Sequence, residues 1–203
     1  MPIISLLQKK GGAAKTTTAI NLLGALRERG INTVLCDMDK EKPDAIFWAD
    51  NGTELIDYVI PLVAENPKPI ISDLYKRFDF IIIDTPPNFE SSALKAAMLC
   101  DLAIIPCAAS LIERKALEDA ASCAILAGKP YKFLASRITK NTKATRELLE
   151  QLNSTGTCFE TFVTNSVFMT ECQSKGMWVG SYAPNSSNHE QYKQLALELL
   201  NSF

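Results

Sequence analysis

No two cysteines in this chain are spaced C-x-x-C, and that absence removes the simplest zinc, iron–sulfur and dithiol readings. The six cysteines are Cys36, Cys100, Cys107, Cys123, Cys158 and Cys172. Most lie inside apolar segments and read as buried free thiols of a reducing compartment. Positive charge is not in excess either: 21 Lys and Arg against 23 Asp and Glu leave a formal charge of -2. That balance argues against a constitutively basic nucleic-acid binder, while a local basic face stays open. No apolar run approaches the ~20 residues a bilayer-spanning helix needs, and Met1-Pro2-Ile3 opens no signal peptide. The expected location is therefore cytoplasmic. Neither a linker composition, an internal repeat nor a low-complexity tract is visible, so residues 1–203 are expected to form one domain with a sizeable core.

What the chain does have is short apolar runs alternating with helix-period segments. Ile3–Leu7, Thr33–Cys36, Phe80–Ile83, Leu102–Pro106 and Phe133–Ser136 read as strands buried on both faces, and Cys158–Val163 as one more. Between them the spacing predicts helices over Thr16–Arg29 (stopped by Gly30), Ser91–Leu99, Ile112–Ala127, Lys143–Asn153 and His189–Leu200. The stretch Lys40–Arg77, punctuated by Pro61, Pro67 and Pro69, reads as surface excursions on the same domain. Strand–helix alternation of this kind predicts an α/β fold with a doubly wound, mainly parallel sheet.

Between the first strand and the first long helix lies Lys10-Gly11-Gly12-Ala13-Ala14-Lys15-Thr16-Thr17. Glycines let a backbone wrap around anionic oxygens, and successive N–H groups can point inward as a nest. The helix N-terminus adds partial positive charge, Lys15 a full one for β- and γ-phosphates, and Thr16 a hydroxyl for Mg²⁺. The usual phosphate loop is G-x-x-x-x-G-K-[ST]; here Lys9 takes the first glycine position and Ala14 the second. A methyl group at Ala14 crowds the loop if the backbone there needs positive φ, and slow hydrolysis is one expected result.

Two further sites face the same sheet edge. Asp37-Met38-Asp39 ends the second strand, and alternation puts Asp37 and Asp39 on one side of it. Asp84 ends Phe80-Ile81-Ile82-Ile83 and is followed by Thr85-Pro86-Pro87. A carboxylate after a hydrophobic strand suits Mg²⁺ held through water, although a lone strand-end Asp is more often a cap or turn residue.

The pattern K-G-G-x-x-K-[ST], with D-x-D and I-I-I-D-T-P-P, resembles the deviant Walker A box of the ParA/MinD superfamily of P-loop ATPases, over practically the full chain. Small ParA-type members are most similar; Lys40-Glu41 with the proline delayed to Pro43, and Trp48 downstream, look like the compact ParF-like ones. The resemblance implies ATP and Mg²⁺ as cofactors. It gives Lys10 a role in trans on the nucleotide of a partner subunit, Asp39 the positioning of the attacking water, and Asp37, Asp39, Asp84 and Thr16 places about the metal. Gly11, Gly12, Ala13, Ala14, Lys15, Thr16 and Thr17 would cradle the phosphates. Arg137, in Ser136-Arg137-Ile138-Thr139, and Pro184, in Tyr182-Ala183-Pro184-Asn185, would contact the base. A surface arginine paired with an acidic neighbour is the competing reading of Arg137, and a solvated loop lysine that of Lys10.

Such ATPases form ATP-dependent sandwich homodimers, bind DNA non-specifically and are stimulated by a ParB-like or other small basic activator protein. Their cycle segregates plasmids or chromosomes or positions other cargo, with nucleoid association when ATP is bound. Candidate DNA-contacting cations are Lys140, Lys143, Arg146, Lys175 and Lys193, against the alternative of scattered solvated lysines. Thr164-Asn165-Ser166 is neutral where many relatives carry arginines. A MinD-like membrane-associated positioning ATPase is the competing class, but Glu198-Leu199-Leu200-Asn201-Ser202-Phe203 lacks the basic cluster of a lipid-binding helix. The third reading is a metabolic P-loop enzyme, in which a trans-acting Lys10 has no role.

Overall fold

The computed structural model describes residues 1–87, 90–109 and 114–203. Six strands form one sheet: β1 (Ile3–Leu6), β2 (Thr33–Asp37), β3 (Val59–Pro61), β4 (Phe80–Asp84), β5 (Leu102–Cys107) and β6 (Tyr131–Ala135). Their spatial order is β3-β2-β4-β1-β5-β6, and every pairing is parallel. Parallel neighbours need crossovers, which the helices supply: α1 (Lys15–Glu28), α2 (Asp44–Asp50), α3 (Lys68–Leu74), α4 (Glu90–Leu99), α5 (Arg114–Leu126), α6 (Lys143–Ser154), α7 (Phe168–Ser174), α8 (Val179–Tyr182) and α9 (Ser187–Leu200).

Strand alternation sorts the core into two layers. Ile3, Val34, Ile81, Ile83, Ile105 and Phe133 face α3 to α6, meeting Leu74, Ala96, Ala120 and Leu148. Ile4, Leu6, Leu35, Ile82, Ile104 and Leu134 face α1, α2, α8 and α9, meeting Leu23, Trp48, Trp178, Tyr192 and Leu195. The doubly wound α/β sheet expected from the sequence is therefore the fold. Close packing on the second face depends on Gly24 in α1, where a Cβ would collide with the Trp178 ring.

Two expectations fail. Residues 40–77 are not mere surface excursions: they hold α2, a 3₁₀ turn (Ile56–Tyr58), α3 and the edge strand β3, paired to β2 from Leu35↔Val59 to Asp37↔Pro61. A three-residue strand ending in proline leaves almost no periodic signal, and proline is tolerated there because the strand is an edge. Nor is Cys158–Val163 a strand. Its ends touch β6 through Phe159 N–H to Phe133 O (2.9 Å) and Val163 N–H to Ala135 O (2.8 Å). Between them the Glu198 carboxylate of α9 accepts from Glu160 N–H (2.7 Å) and Thr161 N–H (3.0 Å), which takes those amides out of any ladder. The predicted helix start at Ile112 lies outside the described residues.

Both ends of α9 are thus tied down. At its start Ser186 Oγ accepts from His189 N–H (3.2 Å), and the buried His189 ring meets Trp178 edge-on. His189 Nδ1 accepts from Asn185 N–H (3.1 Å), which leaves Nε2–H to donate to Glu28 Oε1 at the end of α1 (3.0 Å).

Candidate nucleotide-binding site

At the carboxyl edge of the sheet, β1, β4 and β2 end level with one another. Leu6 pairs with Asp84, and Asp84 with Asp37. The chain leaves β1 into the loop that opens α1, so this loop sits directly over two strand-end carboxylates. A cleft of about 310 Å³ lies there, lined by Gly11 to Thr17, Asp37, Asp39, Asp84, Ser136 and Arg137. Its remaining wall comes from Lys42, Asp44 and Trp48 on the α2 side and from residues 163–166, Met169, Thr170 and Gln173 on the α7 side.

The loop has the backbone shape that an anion cradle needs. Gly12 has φ 73° and Ala14, the N-cap residue of α1, has φ 69° and ψ 28°. The left-handed position anticipated at Ala14 is real, and an L-residue there costs about 1–2 kcal/mol. No side chain caps α1; the first helical bond runs from Thr18 N–H to Ala14 O (2.9 Å). The amides of Lys15, Thr16 and Thr17 thus stand at the front of the helix with its positive dipole end. Lys15 is only 7% exposed. Burial pulls its pKa down, and the carboxylates of Asp84, Asp39 and Asp44 oppose that shift.

The aspartates divide their work. Asp37 is spent largely on structure: Oδ1 accepts from Asp39 N–H (2.9 Å), and Oδ2 from Ala45 N–H (3.0 Å) and Ile46 N–H (3.3 Å), which pins the first turn of α2. Asp39 reaches the same cleft not by continuing the strand but through that turn, and its Oδ1 accepts from Glu41 and Lys42 N–H. Asp84 Oδ2 accepts the Thr16 hydroxyl (2.6 Å), while the buried Oδ1 has no partner. Burial foremost, with the Asp37 charge adding to it, pushes the Asp84 carboxyl up to about 7, against the Thr16 bond and the Lys15 charge. An orphaned, desolvated carboxylate oxygen beside a threonine hydroxyl fits a divalent cation, which would restore its ionised form. Among the described residues no three His, Cys, Asp or Glu side chains converge as ligands. Thr16 and Asp84 are the pair that could hold such an ion.

The structure brings most of the expected residues together but not all. Lys10 and Pro184 are exposed and outside the cleft lining, and Arg137 lies at the cleft with its guanidinium Nη1 donating to Gly12 O (2.8 Å). Its partner there is thus a backbone carbonyl of the loop, not the acidic neighbour of the competing reading. Of the candidate DNA cations, Lys140, Lys143, Arg146 and Lys175 are exposed; Lys143 pairs with Glu147 (3.6 Å), and the half-buried Lys193 with Glu190 (2.8 Å). Sequence reasoning missed the α7 wall. Thr164 is fixed there by Gln191 and Asn188, the latter donating to Thr164 O (2.9 Å), and neutral side chains of this kind carry no motif.

A parallel α/β sheet with an uncapped helix, a buried lysine and paired strand-end aspartates at its carboxyl edge defines a P-loop nucleotide-binding domain. Residues 4–179 match the CobQ/CobB/MinD/ParA nucleotide binding domain, and the chain belongs to that family. Among curated relatives, it is 28% identical over 141 residues to the maintenance of carboxysome distribution protein A of Gloeobacter kilaueensis, covering 67% of this chain and 63% of that one. The chain is also 24% identical to the chromosome-partitioning ATPase Soj of Thermus thermophilus, over 97% of this chain and 94% of the relative. Its fold matches that of the septum site-determining protein MinD of Pyrococcus horikoshii complexed with Mg-ADP, with a TM-score of 0.77 at 21% identity over 98% and 95% of the two chains. The match to the carboxysome-distribution relative spans less than two thirds of that protein's length. Among the described residues no helix is long and apolar enough to cross a membrane.

Proposed function

We propose that this protein is a ParA-type partition ATPase: a nucleotide switch that dimerises on Mg·ATP, binds DNA without sequence preference and releases it on partner-stimulated hydrolysis. The observation that carries this reading is the open N-terminus of α1 facing an Asp84 carboxylate with a free buried oxygen. A triphosphate and its cation complement that arrangement in charge and in hydrogen bonding. Relatives whose names describe chromosome partitioning and carboxysome distribution support a role in moving cargo.

In this mechanism the amides of residues 11–17 and the Lys15 ammonium hold the β- and γ-phosphates, and Arg137 and Pro184 flank the base. Thr16 and Asp84, with Asp37 and Asp39 nearby, would hold Mg²⁺, which when bound would offset charge on the phosphate oxygens. Asp39 accepts a hydrogen bond from the attacking water and orients it toward the γ-phosphorus. Lys10, exposed at the mouth of the loop, completes the site of a second copy, where its charge offsets that developing on the transferred group. Loss of the γ-phosphate removes the contacts that favour the dimer. While ATP is bound and the dimer intact, the exposed Lys140, Lys143, Arg146 and Lys175, with Lys193, supply phosphate contacts to DNA, and these are given up when the dimer parts. A small basic activator of the ParB kind sets the timing.

Sedimentation of an Asp39→Ala variant tests this reading. With ATP it should form a stable dimer, and a persistent monomer would remove the sandwich model. Co-sedimentation with DNA should weaken steeply with salt, and a salt-independent complex would rule out phosphate contacts.

A further inference from the structure

Arg137 stands in a left-handed conformation of its own, φ 55°. The backbone is fixed on both sides of it: Ser136 N–H donates to Cys107 O (2.8 Å) and Ile138 N–H to Val163 O (3.0 Å). A strained residue held so firmly by its neighbours points its side chain where the fold requires. Here that target is the phosphate loop. Arg137 Nη1 donates to Gly12 O (2.8 Å), and Ser136 Oγ donates to Ala13 O (3.4 Å). In a trans peptide the carbonyl and the following N–H point in opposite directions. Drawing the carbonyls of Gly12 and Ala13 toward the end of β6 therefore turns the amides of Ala13 and Ala14 the other way.

The same stretch of loop contains the one left-handed residue in it that is not glycine, Ala14 at φ 69°. Left alone, an alanine there drifts toward negative φ and the cradle loses its shape. We infer that Arg137 is a positioning residue for the phosphate loop, clamping Gly12 so that the loop keeps its anion-binding shape despite Ala14. The inference rests on the nucleotide reading above and goes beyond a contact between Arg137 and the base.

Titration calorimetry with two ligands, ATP and inorganic tripolyphosphate, tests it on four proteins: wild type, Arg137→Ala, Ala14→Gly and the double variant. Tripolyphosphate has no base, so a base contact cannot affect its binding. Arg137→Ala should weaken both ligands about tenfold, and Ala14→Gly in that background should restore most of the loss, because glycine holds positive φ unaided. Arg137 is exposed, so the unfolding midpoints of ligand-free wild type and Arg137→Ala should agree closely, as should those of Ala14→Gly and the double variant. Loss of ATP affinity with tripolyphosphate unchanged would overturn the inference and leave a base contact alone. Equal loss of both ligands with no restoration by Ala14→Gly would overturn the link to Ala14. Wild-type protein that binds neither ligand would instead strike down the nucleotide reading itself.

Discussion

Helices α1 and α9 each run for fourteen residues and pack along one another, yet they begin in opposite ways. The first turn of α9 is closed by its own chain: Ser186 adopts extended backbone and its hydroxyl takes the His189 amide. That of α1 is left open, behind a left-handed alanine with no capping side chain. A capping hydroxyl contributes about 1 kcal/mol, and a left-handed alanine costs about the same. The start of α1 is therefore the poorer by about 2 kcal/mol as a piece of folding, and an anion is what would complete it. The two strand-end aspartates repeat the lesson. Asp37 gives one oxygen to the backbone of α2 and the other to the Asp39 amide, while Asp84, its neighbour in register, keeps one buried oxygen unpartnered.

Three experiments bear on this contrast. The largest effect is expected from Lys15→Ala, which removes the charge behind the open turn. ATP hydrolysis should fall by about 100-fold or more with the circular dichroism spectrum unchanged, and retained turnover would mean that the open turn is not where the phosphates lie. Next is Asp84→Asn. In the unfolded chain this carboxyl loses its proton near the ordinary 3.8, but in the fold only near 7. The folded state therefore holds the extra proton between those values, and ligand-free stability drains away as pH rises through that interval. Asparagine has no proton to lose. The variant should gain on wild type from pH 4 to pH 8, by on the order of 4 kcal/mol at the upper end, measured by urea unfolding. A constant difference across pH would show that Asp84 ionises as freely as in water. The smallest effect is expected at the closed turn. Ser186→Ala should cost about 1 kcal/mol of stability and leave ATP affinity untouched, and a change in affinity would erase the distinction between the two helix starts.

What could be read from the sequence was whatever neighbours in the chain decide. The loop from Lys10 to Thr17, the D-x-D turn and Asp84 each follow a hydrophobic strand directly, so their place at the sheet edge comes with the strand. Parallel pairing then sets Asp37 level with Asp84 without further information. What could not be read depends on distant partners. The run Cys158–Val163 has the composition of a strand, and only Glu198, far along the chain, decides that its amides go elsewhere. Arg137 was visible as a cleft residue, but its acceptor, a backbone carbonyl, has no signature in any side chain. The α7 wall escaped for a similar reason, since Thr170 and Gln173 are unremarkable until folding puts them opposite Asp44.

The chain contains one histidine, and folding has placed it where α9 clasps the end of α1 opposite the phosphate loop. Its ring is held in one tautomer, with Nδ1 accepting from Asn185 and Nε2–H facing Glu28. In a proton NMR spectrum that imidazole gives a single, self-assigned pair of carbon-bound signals. Tripolyphosphate, which has no base to reach Pro184 beside Asn185, would fill only the loop at the far end of α1, so movement of those lines on its addition would report a displacement carried down that helix. The protein comes supplied with its own listening post, fourteen residues from the event it monitors.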